Sequence, residues 1–129
     1  MGYLLDTNVL IDLVEGRGGF ESARSRFGDA GYLSVISTVE LHAGALIDGR
    51  VDLEMQRRIA EIVDSFTELP FTSDEAEAYA RIIGAIGFSR RMIIDRMIAV
   101  TAVTNELTLV TANARDFRNI PGLTVEDWG

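Results

Sequence analysis

The 129 residues are 47% hydrophobic and 25% charged, with a formal net charge of −8 at pH 7, a profile that suits a soluble chain with enough apolar matter for one core. Cysteine is absent and every basic residue is arginine. This excludes disulfides, thiolate metal sites, thiol nucleophiles, the P-loop lysine, Schiff-base chemistry and the lysine of a phospho-receiver domain. The 20 carboxylates and the single histidine, His42, are left to carry acid–base or metal chemistry.

In chain order, GYLL reads as a short buried strand and VLIDLVEG as the helix after it, broken by Gly16, Gly18 and Gly19. FESARSRFG is a second short helix. YLSVIS is a strand, and STVELHAGALIDG is a helix that starts on Ser37 or Thr38 and stops at Gly49. Asp52 to Asp64 repeats its apolar residues at helical spacing. FTELPF is a strand, and SDEAEAYARIIGAIG is a helix capped by Ser73. MIIDRMIAVTAVTNE is a largely buried helix, LTLVT a strand and NARDF a helical turn. LTVEDW is a last strand after the Pro121-Gly122 turn.

Strands alternating with helices predict one α/β domain over residues 1–129, a three-layer α/β/α sandwich on a mostly parallel sheet. No signal peptide or spanning helix is expected, because Asp6 interrupts the first apolar run and Asp95 and Arg96 break the longest later one. That predicts a cytoplasmic protein with no membrane attachment. Ligands of such sheets bind beyond the carboxyl ends of the strands. Asp6 ends the first strand, Thr111 ends LTLVT, and Glu40 follows YLSVIS closely.

Each acid there has two readings. Asp6, with Thr7 and Asn8, either caps the next helix or floors a site. Ser37-Thr-Val-Glu40 fits a capping box, which would tie Glu40 to the helix start. Asn113 and Asp116 fit a similar box around the NARDF turn. Asp95 lies among Ile93, Ile94, Met97 and Ile98, where an ionised carboxylate needs Arg91, Arg96 or a cation as partner. His42 is read as a surface residue. Taken together, the acids describe a carboxylate pocket of the kind that Mg2+ or Mn2+ neutralises.

The order LLDTNVLIDL, STVEL, IIDRMIAVTA and LVTANARDFRNIPGL resembles the PIN-domain nucleases, and more closely the VapC-type toxins of toxin–antitoxin pairs. The resemblance runs over nearly the whole chain. It maps the family's acidic quartet onto Asp6, Glu40, Asp95 and Asp116, and its polar helpers onto Asn8, Thr111 and Asn113. It implies a Mg2+- or Mn2+-dependent endoribonuclease that forms a homodimer. It further implies a cognate VapB-type antitoxin that completes a larger hetero-oligomer, inserts an arginine into the acidic pocket and alone contacts DNA. Ile94, where a small polar residue is common, and Val100, where alanine is common, depart from the pattern without removing a ligand.

On this reading Asp6, Asp95 and Asp116 hold the cation, Glu40 orients or deprotonates the attacking water, and Thr7, Asn8, Thr111 and Asn113 orient the acids. Between Phe88 and Gly122 the balance is +2, so Arg90, Arg91, Arg96, Arg115 and Arg118 are the candidate contacts for RNA phosphates. Two other functions fit parts of the chain. One is an aspartate-based phosphatase, disfavoured by Asn8 where a second aspartate belongs. The other is a partner-binding module without catalysis.

Overall fold

The computed structural model describes residues 2–17 and 19–128; Gly18, one of the three expected breaker glycines, lies outside them. Five strands form one parallel sheet: β1 (Tyr3–Leu5), β2 (Gly31–Ser34), β5 (Thr67–Leu69), β6 (Thr108–Thr111) and β7 (Thr124–Asp127), in the order β5-β2-β1-β6-β7. The short strands β3 (Leu46–Ile47) and β4 (Arg50–Val51) pair antiparallel on their own. The helices are α1 (Thr7–Val14), α2 (Phe20–Phe27), α3 (Val35–Gly44), α4 (Leu53–Ser65), α5 (Ser73–Ile86) and α6 (Ile93–Thr104). None of the described helices is long and apolar enough to cross a membrane.

Side-chain alternation along the strands separates two cores. Leu5, Leu33 and Val110 pack with Val9, Leu10, Phe27, Ile59 and Ile62 of α1, α2 and α4. Leu4 and Leu109 face the other way, onto Ala78 and Ile82 of α5 and Ile98, Ala99 and Ala102 of α6. The expected three layers are therefore present, with the strands buried on both faces as a parallel sheet requires.

The sheet grows outward from β1 to β2 and β5, then resumes on the other side with β6 and β7. The order reverses between β1 and β6, which opens a crevice at their carboxyl ends. Asp6 follows β1 there and Thr111 is the last residue of β6; the Asp6 N–H donates to the Val110 carbonyl at 2.9 Å.

Several boundaries differ from the sequence reading. β2 ends at Ser34, whose hydroxyl caps α3 by accepting from the Ile36 N–H. Ser37 thus lies inside the helix and the Ser37–Glu40 capping box does not form. α3 stops at Gly44, not Gly49. The Asp48-Gly49 pair, both at positive φ, turns the chain between β3 and β4 as a two-residue hairpin loop. α5 is capped by Thr72, with Glu75 completing a capping box, rather than by Ser73. Asn113 makes no side-chain cap on the Ala114–Phe117 turn.

Candidate active site

Asp6 sits at the bottom of the crevice, 3% exposed. One carboxylate oxygen accepts from the Thr7 N–H at 2.8 Å and the other from the Thr111 hydroxyl at 2.7 Å. The cap reading of Asp6 holds, since it is the N-cap of α1, and the same carboxylate feels the charges of Asp95 and Glu40. Burial raises its pKa most, and the Asp95 and Glu40 charges add to that. The bonds from Thr111 and Thr7 pull the other way, and the balance lies at about 6 instead of 3.8.

The hydroxyl bonds around Asp6 have fixed directions because each hydroxyl has a single proton to give. Thr111 gives its proton to Asp6 and accepts from the Asn8 amide at 3.3 Å and the Asn113 N–H at 3.0 Å. The Asn8 carbonyl oxygen accepts from the Ala112 N–H at 3.1 Å, so this side chain ties α1 to the end of β6. Thr7 donates to Glu40 at 2.6 Å, which leaves it as the acceptor of the buried Ser37 hydroxyl at 2.8 Å. Glu40 is thus aimed by Thr7 and not by the start of its own helix. Ser37, which sequence reasoning assigned to a cap, is the residue that supports this pair.

Asp95 lies in the first turn of α6, half-buried. Burial pushes its carboxyl up, as do Asp116 and Glu40, against a pull down from Arg91. Asp116 is exposed on the turn after β6. The four acids therefore share one electrostatic environment: Asp6 feels Asp95 and Glu40, and Asp95 feels Asp116 and Glu40. None of the four forms an ion pair among the described residues.

Asn113, Arg90, Arg91, Arg115 and Arg118 are exposed, as is His42. Arg96 is not: it is 7% exposed, and its guanidinium donates to the Gly87 carbonyl at 2.8 Å. It neither pairs with Asp95 nor reaches the surface, so the expectation that it grips phosphate is corrected. Its place in α6 turns it toward the end of α5.

Among the described residues no three acids or imidazoles gather tightly enough to enclose a metal ion by themselves. The donors fit a cation that keeps much of its water and takes only one or two carboxylates directly, which is how Mg2+ is bound. Asp6 and Asp95 are pushed up in pKa by burial and by neighbouring acids, and neither forms an ion pair with a basic side chain among the described residues. Such a cation would neutralise the negative charge of this setting.

An all-parallel sheet with an acidic crevice at its switch point defines the class: residues 3–123 match the PIN domain, and the chain belongs to the PIN-domain family. It is 38% identical to Ribonuclease VapC1 of Rickettsia felis over 97% of this chain and 95% of that protein. It is 30% identical to the tRNA(fMet)-specific endonuclease VapC of Shigella flexneri over 98% of this chain and 97% of the other. Its fold superposes with a TM-score of 0.80 on the crystal structure of DNA-bound VapBC from Salmonella typhimurium, at 25% identity over 100% of this chain and 99% of that one.

Proposed function

We infer that this protein is a VapC-type endoribonuclease toxin, hydrolysing RNA phosphodiester bonds at Asp6, Glu40, Asp95 and Asp116. The observation that carries this reading is the mutual repulsion of these acids at the β1–β6 crevice, where none of them forms an ion pair among the described residues. Asp6, Asp95 and Asp116 are the residues that would hold Mg2+ or Mn2+. When bound, such a cation supplies the positive charge that acidifies water and screens the transferring phosphoryl group.

The chain's own groups do the rest. Thr7 and Thr111 lock Asp6 in one rotamer, and Thr7 holds Glu40 where it accepts the proton of the attacking water. The water oxygen bonds to phosphorus as the bond to the leaving ribose oxygen breaks, and solvent protonates that oxygen. Asn8 is committed to Thr111 and Ala112, so it cannot serve as the second acid of a phosphatase. Exposed Arg90, Arg91, Arg115 and Arg118 contact the flanking phosphates.

A VapB-type antitoxin restrains the toxin, the pair assembling from a homodimer in the cytoplasm and touching DNA through the antitoxin. The VapBC assembly named for the Salmonella relative supports this partner. The test is cleavage of structured RNAs, beginning with the initiator tRNA for which the Shigella relative is named, with Mg2+ or Mn2+ and with chelator. Asp95→Asn is expected to lower the rate by about a hundredfold or more. Cleavage that persists in both chelator and Asp95→Asn would come from another nuclease and would remove the assignment.

A further inference from the structure

Arg96 follows Asp95 directly on α6, yet its side chain serves another helix. It is buried, its Nη1 donates to the Gly87 carbonyl, and no carboxylate lies within ion-pair range of it among the described residues. A buried guanidinium normally demands a counter-charge. Here that charge is the carboxyl end of α5, a 14-residue helix with no basic residue in its own last turn and with the negative end of its dipole at Gly87. Gly87 terminates α5 at φ +89. The contact is therefore a C-cap supplied from the neighbouring helix.

Between the two ends of this latch runs a short connection, Phe88 to Met92. Phe88, Arg90 and Arg91 are exposed along it, and only Met92 is buried. The Arg90–Met92 turn has no side-chain cap, and a 3.2 Å bond from the Met92 N–H to the Ser89 carbonyl holds it. Its position is set from outside, by α6 at one end and at the other by Gly87, whose N–H donates to the Ile83 carbonyl at 2.7 Å and whose carbonyl accepts from Arg96. Arg90 and Arg91 make no ion pair among the described residues, and Arg91 lies near enough to Asp95 for its charge to be felt there, so the connection presents exposed cations at the edge of the acidic crevice.

We propose that Arg96 is a positioning residue for the substrate: by anchoring Gly87 it fixes the Phe88–Met92 connection, and with it the two arginines that grip the RNA backbone next to Asp95. The proposal rests on the nuclease reading for the identity of the ligand, but the latch itself does not. Arg96→Met keeps the length of the side chain and removes its donors. Arg96→Lys restores the charge and one donor. Arg91→Gln removes a gripping charge and leaves the latch intact.

Amide hydrogen exchange over residues 88–92 is expected to speed up selectively in Arg96→Met and to return toward wild type in Arg96→Lys. Binding of a single-stranded RNA in chelator, where no cleavage occurs, is expected to weaken by about tenfold in Arg96→Met and to lose about one unit of salt slope. With Mg2+ the loss falls on KM and not on kcat. Arg96→Met combined with Arg91→Gln is expected to bind less weakly than the product of the two single losses, because Arg91 is one of the two arginines through which Arg96 acts. Unchanged exchange over 88–92, losses that multiply in the double variant, or a lowered melting temperature with RNA affinity intact would each overturn the proposal. Failure of the wild type to bind or cleave RNA would instead count against the nuclease reading, and the exchange result would still decide the latch.

Discussion

At the scale of single residues, Asp6 combines two opposing demands. Its two hydrogen bonds favour the ionised form and its burial disfavours it, and burial wins. With a folded pKa near 6 against 3.8 in the open chain, the native state binds a proton that the unfolded state has already lost. Stability from this group is complete below the open-chain value and is lost as pH rises through about 6. In chelator, wild type is therefore expected to lose on the order of 2 kcal/mol more than Asp6→Asn between pH 4 and pH 7. Denaturant titrations at several pH values measure this, and parallel curves for the two proteins would refute it. Asp95 is shifted in the same direction, so the difference between the two proteins is needed to isolate Asp6. Asp6 and Asp95 were legible in the sequence because each is a carboxylate set against apolar neighbours. Arg96 was not, because the acceptor that explains it is a backbone carbonyl nine residues away.

At the scale of elements, α3 and the hairpin after it show where local patterns mislead. Ser34 and Ser37 are one helical turn apart, and both precede apolar, helix-forming sequence. The choice of cap was made by β2, which needs Ser34 to end its ladder with Leu69 of β5. The two serines then acquire different duties that substitution can separate. Ser34→Ala is expected to cost about 1 kcal/mol as a lost cap, with RNA cleavage nearly unchanged per folded molecule. Ser37→Ala removes the donor to Thr7, frees Thr7 to turn away from Glu40, and is expected to slow cleavage by about tenfold for about 1 kcal/mol of stability. Equal effects of the two changes on cleavage would disprove the assigned roles. The hairpin carried its own signal, Asp-Gly directly after Leu46-Ile47, but the helical spacing running into it from α3 was read through to Gly49.

At the scale of the whole molecule, the fold brings acids from separate parts of the chain to the line where its two cores meet. Asp6 and Thr111 border the reversal of strand order, Glu40 arrives on α3 from one side, and Asp95 arrives on α6 from the other. This order of strands and helices was readable from the alternating pattern, and its C-terminal crevice followed from the fold class. The hydroxyl network that aims the acids was not readable, since Thr7 meets Glu40 and Thr111 meets Asp6 only after folding. Folding thus leaves mutually repelling carboxylates in place, and the cation proposed to relieve them would couple its binding to global stability. A divalent ion that binds only the folded chain adds about 2.7 kcal/mol at a hundred times its Kd. For a chain of 129 residues that raises the melting temperature by roughly 10 °C. The rise is expected with Mg2+ or Mn2+, to be largely abolished in Asp95→Asn, and to shrink as pH falls below the value near which Asp6 takes up its proton. Calorimetry across pH with matched ionic strength separates this from salt screening. A melting temperature that responds equally in wild type and Asp95→Asn would place the cation elsewhere and leave the acidic crevice without its proposed role.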